Sequence, residues 1–146
     1  VYIATAEAGD GEMAARVADH RQRRGSGWRT VEEPLALPAT LAAEAGEGRA
    51  VLVDCLTLWL SNLMAAGRDI DVETDALIAA LTAAAGPVVI VANEVGSGIM
   101  PANALARRFA DAHGILNQRV AATVGRHQHD AAGLPVSIKP APEFAL

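Results

Sequence analysis

Three groups of residues in this sequence have types and spacings that can do chemistry. Asp54 ends the apolar run Ala50-Val51-Leu52-Val53-Asp54-Cys55. A carboxylate at the end of an apolar strand is what phosphoryl-transfer enzymes use to hold Mg²⁺, directly or through water. The plain alternative is a helix cap or a loop acid. Asn93-Glu94-Val95-Gly96-Ser97-Gly98 follows a second apolar run, Val88-Val89-Ile90-Val91-Ala92. Its glycines allow positive φ or close backbone approach. Glu94 could act on a metal or a water and Asn93 could bond a substrate, or the segment is an ordinary glycine-rich turn between strand and helix. His20 precedes Arg21, Arg23 and Arg24. Arginines attract an anion and a neutral imidazole can attack phosphorus, so the cluster suits phosphate chemistry. Its alternative is a half-buried helical histidine beside a solvated basic turn. His113, His127 and His129 have no comparable setting. His127 and His129 could pair on a metal but lack further ligands nearby in sequence.

The elements that must position these residues alternate between strand and helix. Val1 to Thr5 is rich in β-branched and aromatic residues and reads as a strand. Asp10 can cap a helix carrying Met13 and Val17 on one face and running to about Arg24, where Gly25-Ser26-Gly27 ends it. Trp28 to Val31 is a short extended piece. Pro34 and Pro38 punctuate the next stretch, and Thr40 to Ala45 reads as a short helix stopped by Gly46. The runs at 50–55 and 88–92 read as strands apolar on both faces, which belong in a parallel sheet covered by helices. Between them, Thr57 can cap one helix (Leu60, Leu63 and Met64 inward, closed by Gly67). Asp71 opens another (Leu77, Ile78 and Leu81 inward, stopped by Gly86-Pro87). Pro101 suits the first turn of a long helix through Leu105, Phe109, Leu116 and Val120. Strand–helix alternation implies an α/β fold, which binds ligands at the carboxyl ends of its strands. Thr5, Asp54, Asn93 and Glu94 fall at those ends.

Bulk properties narrow the function classes. With 146 residues the chain fits one α/β domain spanning 1–146, and neither an internal repeat nor a low-complexity tract interrupts it. A formal net charge of −5 argues against an extended nucleic-acid surface, leaving room for a local phosphate site. No apolar stretch reaches the roughly 18 residues of a membrane span, and no signal-peptide pattern opens the chain, so the expectation is a cytoplasmic protein. Cys55, the single cysteine, cannot form an internal disulfide and reads as a small buried hydrophobe.

Taken together and in order, these pieces resemble one family. Tyr2-Ile3-Ala4-Thr5-Ala6, Glu12-Met13, Arg16, His20-Arg21 and Trp28-Arg29-Thr30-Val31-Glu32 are similar to its first third. Leu52-Val53-Asp54-Cys55-Leu56-Thr57 is similar to its second signature, and Asn93 to Ile99 with Pro101 to its third; Leu105-Ala106-Arg107 and Asn117-Gln118-Arg119 follow. The family is the bifunctional adenosylcobinamide kinase/adenosylcobinamide-phosphate guanylyltransferase. The resemblance covers roughly residues 1 to 124 and resumes at Gly133, and several short motifs in correct order are far more specific than any one alone.

The resemblance implies a parallel-sheet, P-loop NTPase-like (RecA-like) domain and two reactions. A nucleoside triphosphate, ATP or GTP, phosphorylates the aminopropanol arm of adenosylcobinamide. GMP is then transferred from GTP to adenosylcobinamide phosphate, with Mg²⁺ as the cofactor. The family's guanylylated histidine maps onto His20. Its nucleotide contacts map onto Ala4, Thr5, Ala6, Arg21, Gln22, Arg23, Arg24, Glu32 and Asp54, with Asp54 also the metal residue. The resemblance suggests a homo-oligomer, a trimer being the candidate.

Two departures qualify the match. The family opens with a strand, a glycine-rich P-loop ending in Gly-Lys-Ser, and a helix, and neither Gly-Lys-Ser nor Gly-Lys-Thr occurs here. Because the chain also opens directly on a strand, the expectation is a domain lacking its first strand, P-loop and first helix. Segment 125–131 is polar where the family carries a buried apolar strand, which a compensated frameshift or loop divergence would produce. The reading of a different class is a non-catalytic α/β remnant, or partner-binding protein, that has lost the phosphate loop.

Overall fold

The computed structural model describes residues 1–7, 19, 25 and 27–140. Four short strands build a parallel sheet: β1 (Tyr2–Ala4), β2 (Thr30–Glu32), β3 (Val51–Asp54) and β4 (Val88–Val91), in the order β2-β1-β3-β4. The helices among the described residues are α1 (Leu37–Glu44), α2 (Leu56–Ala65), α3 (Ile70–Ala83) and α4 (Ala104–Thr123). A 3₁₀ turn, Val95–Ser97, lies between β4 and α4. The hairpin of β5 (His127–Ala131) and β6 (Leu134–Lys139) forms a separate antiparallel sheet. The chain is thus α/β with parallel pairing, as strand–helix alternation implies.

Strand alternation divides the sheet into two unlike faces. Ile3, Val51, Val53, Val88 and Ile90 point to one face and join a core with Leu37, Leu41, Leu56, Trp59, Leu60, Leu63, Leu77, Leu116 and Val120 from all four helices. Register puts Tyr2, Ala4, Leu52, Asp54, Val89 and Val91 on the other face. There Val89 is 59% and Val91 41% exposed, so β4, the edge strand among the described residues, is apolar on both sides but half-buried on one and exposed on the other. That corrects the expectation of burial on both faces for the run at 88–92, whereas in β3 no residue is exposed.

Local chemistry explains the other differences from the sequence pattern. Pro38 opens helix α1 instead of interrupting it, since the first turn has no use for its missing N–H, and the helix begins at Leu37. Glu33 accepts from the N–H groups of Leu35 (2.9 Å) and Ala36 (2.7 Å) just ahead of it. Asp69, not Asp71, caps α3, accepting from Asp71 N–H and Val72 N–H. Asn103 caps α4 through Ala106 N–H at 2.7 Å, which leaves Pro101 ahead of the helix and Leu105 70% exposed on it. Gly86 lies beyond the end of α3, where a Cβ would meet the carbonyl oxygens of Gly46 and Arg49 at 2.4 Å, so close backbone approach fixes glycine there. The hairpin turns at Ala132 (φ 55°) and Gly133 (φ 78°), a two-residue turn with both central φ positive, and places the polar segment at the surface. Apart from Asp19, which is helical, the expected helix from Asp10 to Arg24 lies outside the described residues.

Candidate functional site

The site is built on one row of the sheet. Ala4 pairs in register with Glu32 on one side and Asp54 on the other, and Asp54 with Val91. With strands about 4.8 Å apart, Glu32 and Asp54 flank Ala4 at roughly 10 Å across the carboxyl edge. Ala4 is buried, Asp54 half-buried and Glu32 exposed, and all three lie on the face away from the helical core. Small Ala4 therefore floors a gap between two carboxylates.

Thr5, one residue on, is fully buried and ties this edge together. Its Oγ1 donates to the Cys55 carbonyl (2.7 Å) and accepts from Cys55 N–H (2.9 Å), while its own N–H donates to the Asp54 carbonyl (3.0 Å). Asn62 donates to the Thr5 and Pro34 carbonyls. These bonds fix the backbone on both sides of Asp54, so Thr5 positions the carboxylate. Ala6 follows, half-buried. Tyr2, which sequence reasoning passed over, lies two residues before Ala4 on the same face and donates from its hydroxyl to Asp54 Oδ2. Its ring meets Trp28 edge-on, centroids 6.2 Å apart. The signal was available: strand positions 2 and 4 share a face and Tyr reaches the diagonal neighbour.

A second cluster closes the β4 side. Thr57 does not cap α2; the N-cap position is Cys55, with no side-chain bond. Thr57 Oγ1 instead accepts from Asn93 N–H (3.0 Å) and meets His113 Nε2 at 3.0 Å. Asn117 Nδ2 donates to the Asn93 carbonyl (3.1 Å) and lies 3.4 Å from His113 Nδ1. His113 is fully buried and stacks on Phe109, centroids 5.8 Å apart. Burial holds its pKa below the ordinary histidine value, opposed in part by the charge of Glu94. No cationic cluster like that beside His20 adjoins it in sequence; its setting is a buried polar network that sequence reading did not identify. The available signal was its place with Phe109, Leu116 and Val120 on the inward face of α4.

His20, Arg21, Gln22, Arg23 and Arg24 lie outside the described residues. Among the described residues no group of three or more His, Cys, Asp or Glu could hold a metal. Mg²⁺ does not need one, since it binds through one or two carboxylates and completes its shell with phosphate oxygens and water. Asp54, half-buried with Tyr2 on one oxygen, fits that donor set. The groove lined by Leu81, Gly86, Val88 and Val124 lies at the start of β4, the opposite end of the sheet.

A family model described as CobU, cobinamide kinase / cobinamide phosphate guanyltransferase, matches residues 1–138. The chain belongs to that family. It is 50% identical over 143 residues to the bifunctional adenosylcobalamin biosynthesis protein CobP of Pseudomonas aeruginosa, a match covering 97% of this chain and 83% of that protein. It is 38% identical over 154 residues to the bifunctional adenosylcobalamin biosynthesis protein CobU of Salmonella typhimurium, and equally to that of Escherichia coli, covering 95% of this chain and 85% of each. The matched range takes in strand β5 and ends within β6, at Ile138. No helix among the described residues is long and apolar enough to cross a membrane.

Proposed function

We propose that this protein phosphorylates adenosylcobinamide and then transfers GMP from GTP to adenosylcobinamide phosphate through a guanylylated His20. The observation that carries the reading is the row Glu32–Ala4–Asp54 at the carboxyl edge of a parallel sheet, in a chain of the cobinamide kinase/guanyltransferase family. Ligands of open α/β sheets bind outside that edge. The reading carries a P-loop-like nucleotide fold, a cytoplasmic setting and a homo-oligomer, a trimer, which light scattering of the purified protein checks.

The residues divide the work as follows. Asp54 would hold Mg²⁺, which when bound neutralises charge on the phosphates. Tyr2 and the Thr5 strap keep the carboxylate at the edge. Ala4 and Ala6 leave room for the nucleotide, and Glu32 accepts from its ribose or base. Arg21, Arg23 and Arg24 pair with phosphate oxygens, and Gln22 lies among them. His20, as neutral imidazole, attacks the α-phosphorus of GTP. The nitrogen–phosphorus bond forms, the bond to the β-phosphate bridge oxygen breaks, and pyrophosphate leaves. A phosphate oxygen of adenosylcobinamide phosphate then attacks the same phosphorus and releases the imidazole.

Incubation of the full-length protein with α-labelled GTP tests this. The expected product is an acid-labile adduct mapping to His20, absent in His20→Ala. Label retained by that variant would overturn the assignment. Kinase activity survives the substitution, because phosphoryl transfer to the aminopropanol arm uses no histidine adduct.

A further inference from the structure

The cluster around Thr57 is a hydrogen-bond network whose polarity can be worked out from its geometry. Asn117 places one side-chain atom 3.1 Å from the Asn93 carbonyl and 3.4 Å from His113 Nδ1. A carbonyl oxygen can only accept, so the atom facing it is the amide nitrogen. This orientation leaves Asn117 Oδ1 buried with no hydrogen-bond partner, a cost that the Asn93 carbonyl imposes. The same NH₂ group faces His113 Nδ1, which is therefore the acceptor nitrogen, and the ring proton sits on Nε2. His113 Nε2–H then donates to Thr57 Oγ1 at 3.0 Å, and Asn93 N–H donates to the same oxygen at 3.0 Å.

Both lone pairs of the Thr57 oxygen are thereby filled, and its own proton must point elsewhere. Thr57 lies in the first turn of α2, so the residue four before it is Val53 in β3 and supplies no helical carbonyl for it. Among the described residues no acceptor takes that proton. A hydroxyl accepting two hydrogen bonds is polarised into a stronger donor. Thr57 is half-buried, three residues after Asp54 and bonded to the backbone just past β4, at the edge where the triphosphate lies in the reading above.

We propose that the Thr57 hydroxyl donates a hydrogen bond to a non-bridging phosphate oxygen of the bound nucleoside triphosphate, with His113 and Asn117 as positioning residues that fix its direction. The proposal rests on the nucleotide reading of this edge and adds a donor on its β4 side. It also gives the buried histidine a role: as the Nε2–H tautomer it holds the Thr57 oxygen as an acceptor, and so turns the proton outward.

Two measurements on the full-length protein test it. Titration with Mg·GTP, and with GTP carrying sulfur for one non-bridging oxygen at the α, β or γ phosphorus, gives dissociation constants for wild type, Thr57→Val and Thr57→Ser. A lost hydrogen bond to a charged oxygen predicts about 10- to 100-fold weaker GTP binding for Thr57→Val, with Thr57→Ser within about threefold of wild type. Sulfur is a poor acceptor, so one thio-nucleotide weakens wild type and leaves Thr57→Val no weaker than it is with GTP. If every thio effect is the same in both proteins, Thr57 touches no phosphate and the proposal falls. If wild type binds no Mg·GTP, the nucleotide reading falls with it. The second measurement needs no variant to fold: nitrogen-15 correlation spectra of wild type report the His113 tautomer. Nε2–H is expected, and Nδ1–H overturns the proposal.

Discussion

The two halves of the sheet's carboxyl edge are held by different means. On the β1–β3 side the strands end in backbone ladder bonds continued by Thr5, a residue with no exposed surface, and Asp54 projects from a backbone fixed on both sides. On the β4 side the chain leaves the ladder after Val91 and runs through Asn93 to Asn103 with Ile99 98% and Met100 66% exposed. That segment is held by side chains reaching in: Thr57 and Asn117 on the backbone of Asn93, and Arg107 on the carbonyls of Pro101 (3.1 Å) and Ala102 (2.6 Å). Backbone pairing suits a carboxylate that must hold one position. Side-chain pairing suits a segment whose bonds can be exchanged one at a time.

The largest effects belong to the β1–β3 side. Asp54→Asn removes the charge while keeping an acceptor for the Tyr2 hydroxyl. Both proposed activities should fall about 100- to 1,000-fold, the usual cost of losing one transition-state electrostatic contact, with thermal stability little changed. Steady-state rates at saturating Mg²⁺, alongside calorimetric melting, check this; unchanged rates in a folded variant would overturn the metal role proposed for Asp54. Thr5→Val acts on the frame. It leaves the buried Cys55 N–H without its acceptor and should lower stability by about 2–4 kcal/mol, with Thr5→Ser recovering most of it. Chemical denaturation measures both. A loss below about 1 kcal/mol would mean that the backbone ladder alone holds this edge.

The same contrast marks what was legible in the sequence. The strands Val51–Asp54 and Val88–Val91 stood out because short apolar runs bounded by turns carry their own signal, and their alternation with helices gave the parallel pairing. Which faces would be covered was not legible: Val89 and Val91 are as apolar as buried residues, and only the arrangement of helices leaves them outside. Asp69 and Asp71 are equally good caps by type, and backbone direction alone selects Asp69. Asp54, Ala4 and Glu32 were read one by one, but their common row depends on register across three strands. The Thr57–His113 bond joins residues 56 apart in the chain, and no local pattern reports such a contact.

His113 makes the β4 side sensitive to pH. Burial lowers its pKa, so the folded state resists protonation more than the unfolded chain does. Between the lowered pKa and the ordinary value of about 6.5, the unfolded state binds more protons, and stability rises with pH. The contribution is complete above pH of about 6.5 and is lost as pH falls through that window, at no more than about 1.4 kcal/mol per pH unit. Denaturant midpoints of wild type and His113→Gln from pH 8 to pH 5 isolate it: the wild-type curve should fall more steeply below about pH 6.5. Parallel curves would place the titration elsewhere.

The smallest effect is expected where the Asn93–Asn103 segment meets α4. Arg107 is anchored one helical turn beyond the Asn103 cap, and its guanidinium reaches back to the carbonyls of half-buried Pro101 and exposed Ala102. Water replaces such bonds readily, so Arg107→Ala should cost at most about 1 kcal/mol of global stability. Its consequence is local. Without that clamp, the chain between the Asn117–Asn93 bond and the Asn103 cap has lost a restraint close to its far end, and local opening exposes backbone that a protease can take. Limited proteolysis should therefore cut Arg107→Ala within residues 94–102 several-fold faster than wild type, with at most a small fall in the global denaturation midpoint. Thr5→Val should do the reverse, lowering the midpoint without directing cleavage to that segment. Equal acceleration in both variants would mean that the two halves open as one unit, and the contrast between a backbone-paired half and a side-chain-held half would fail.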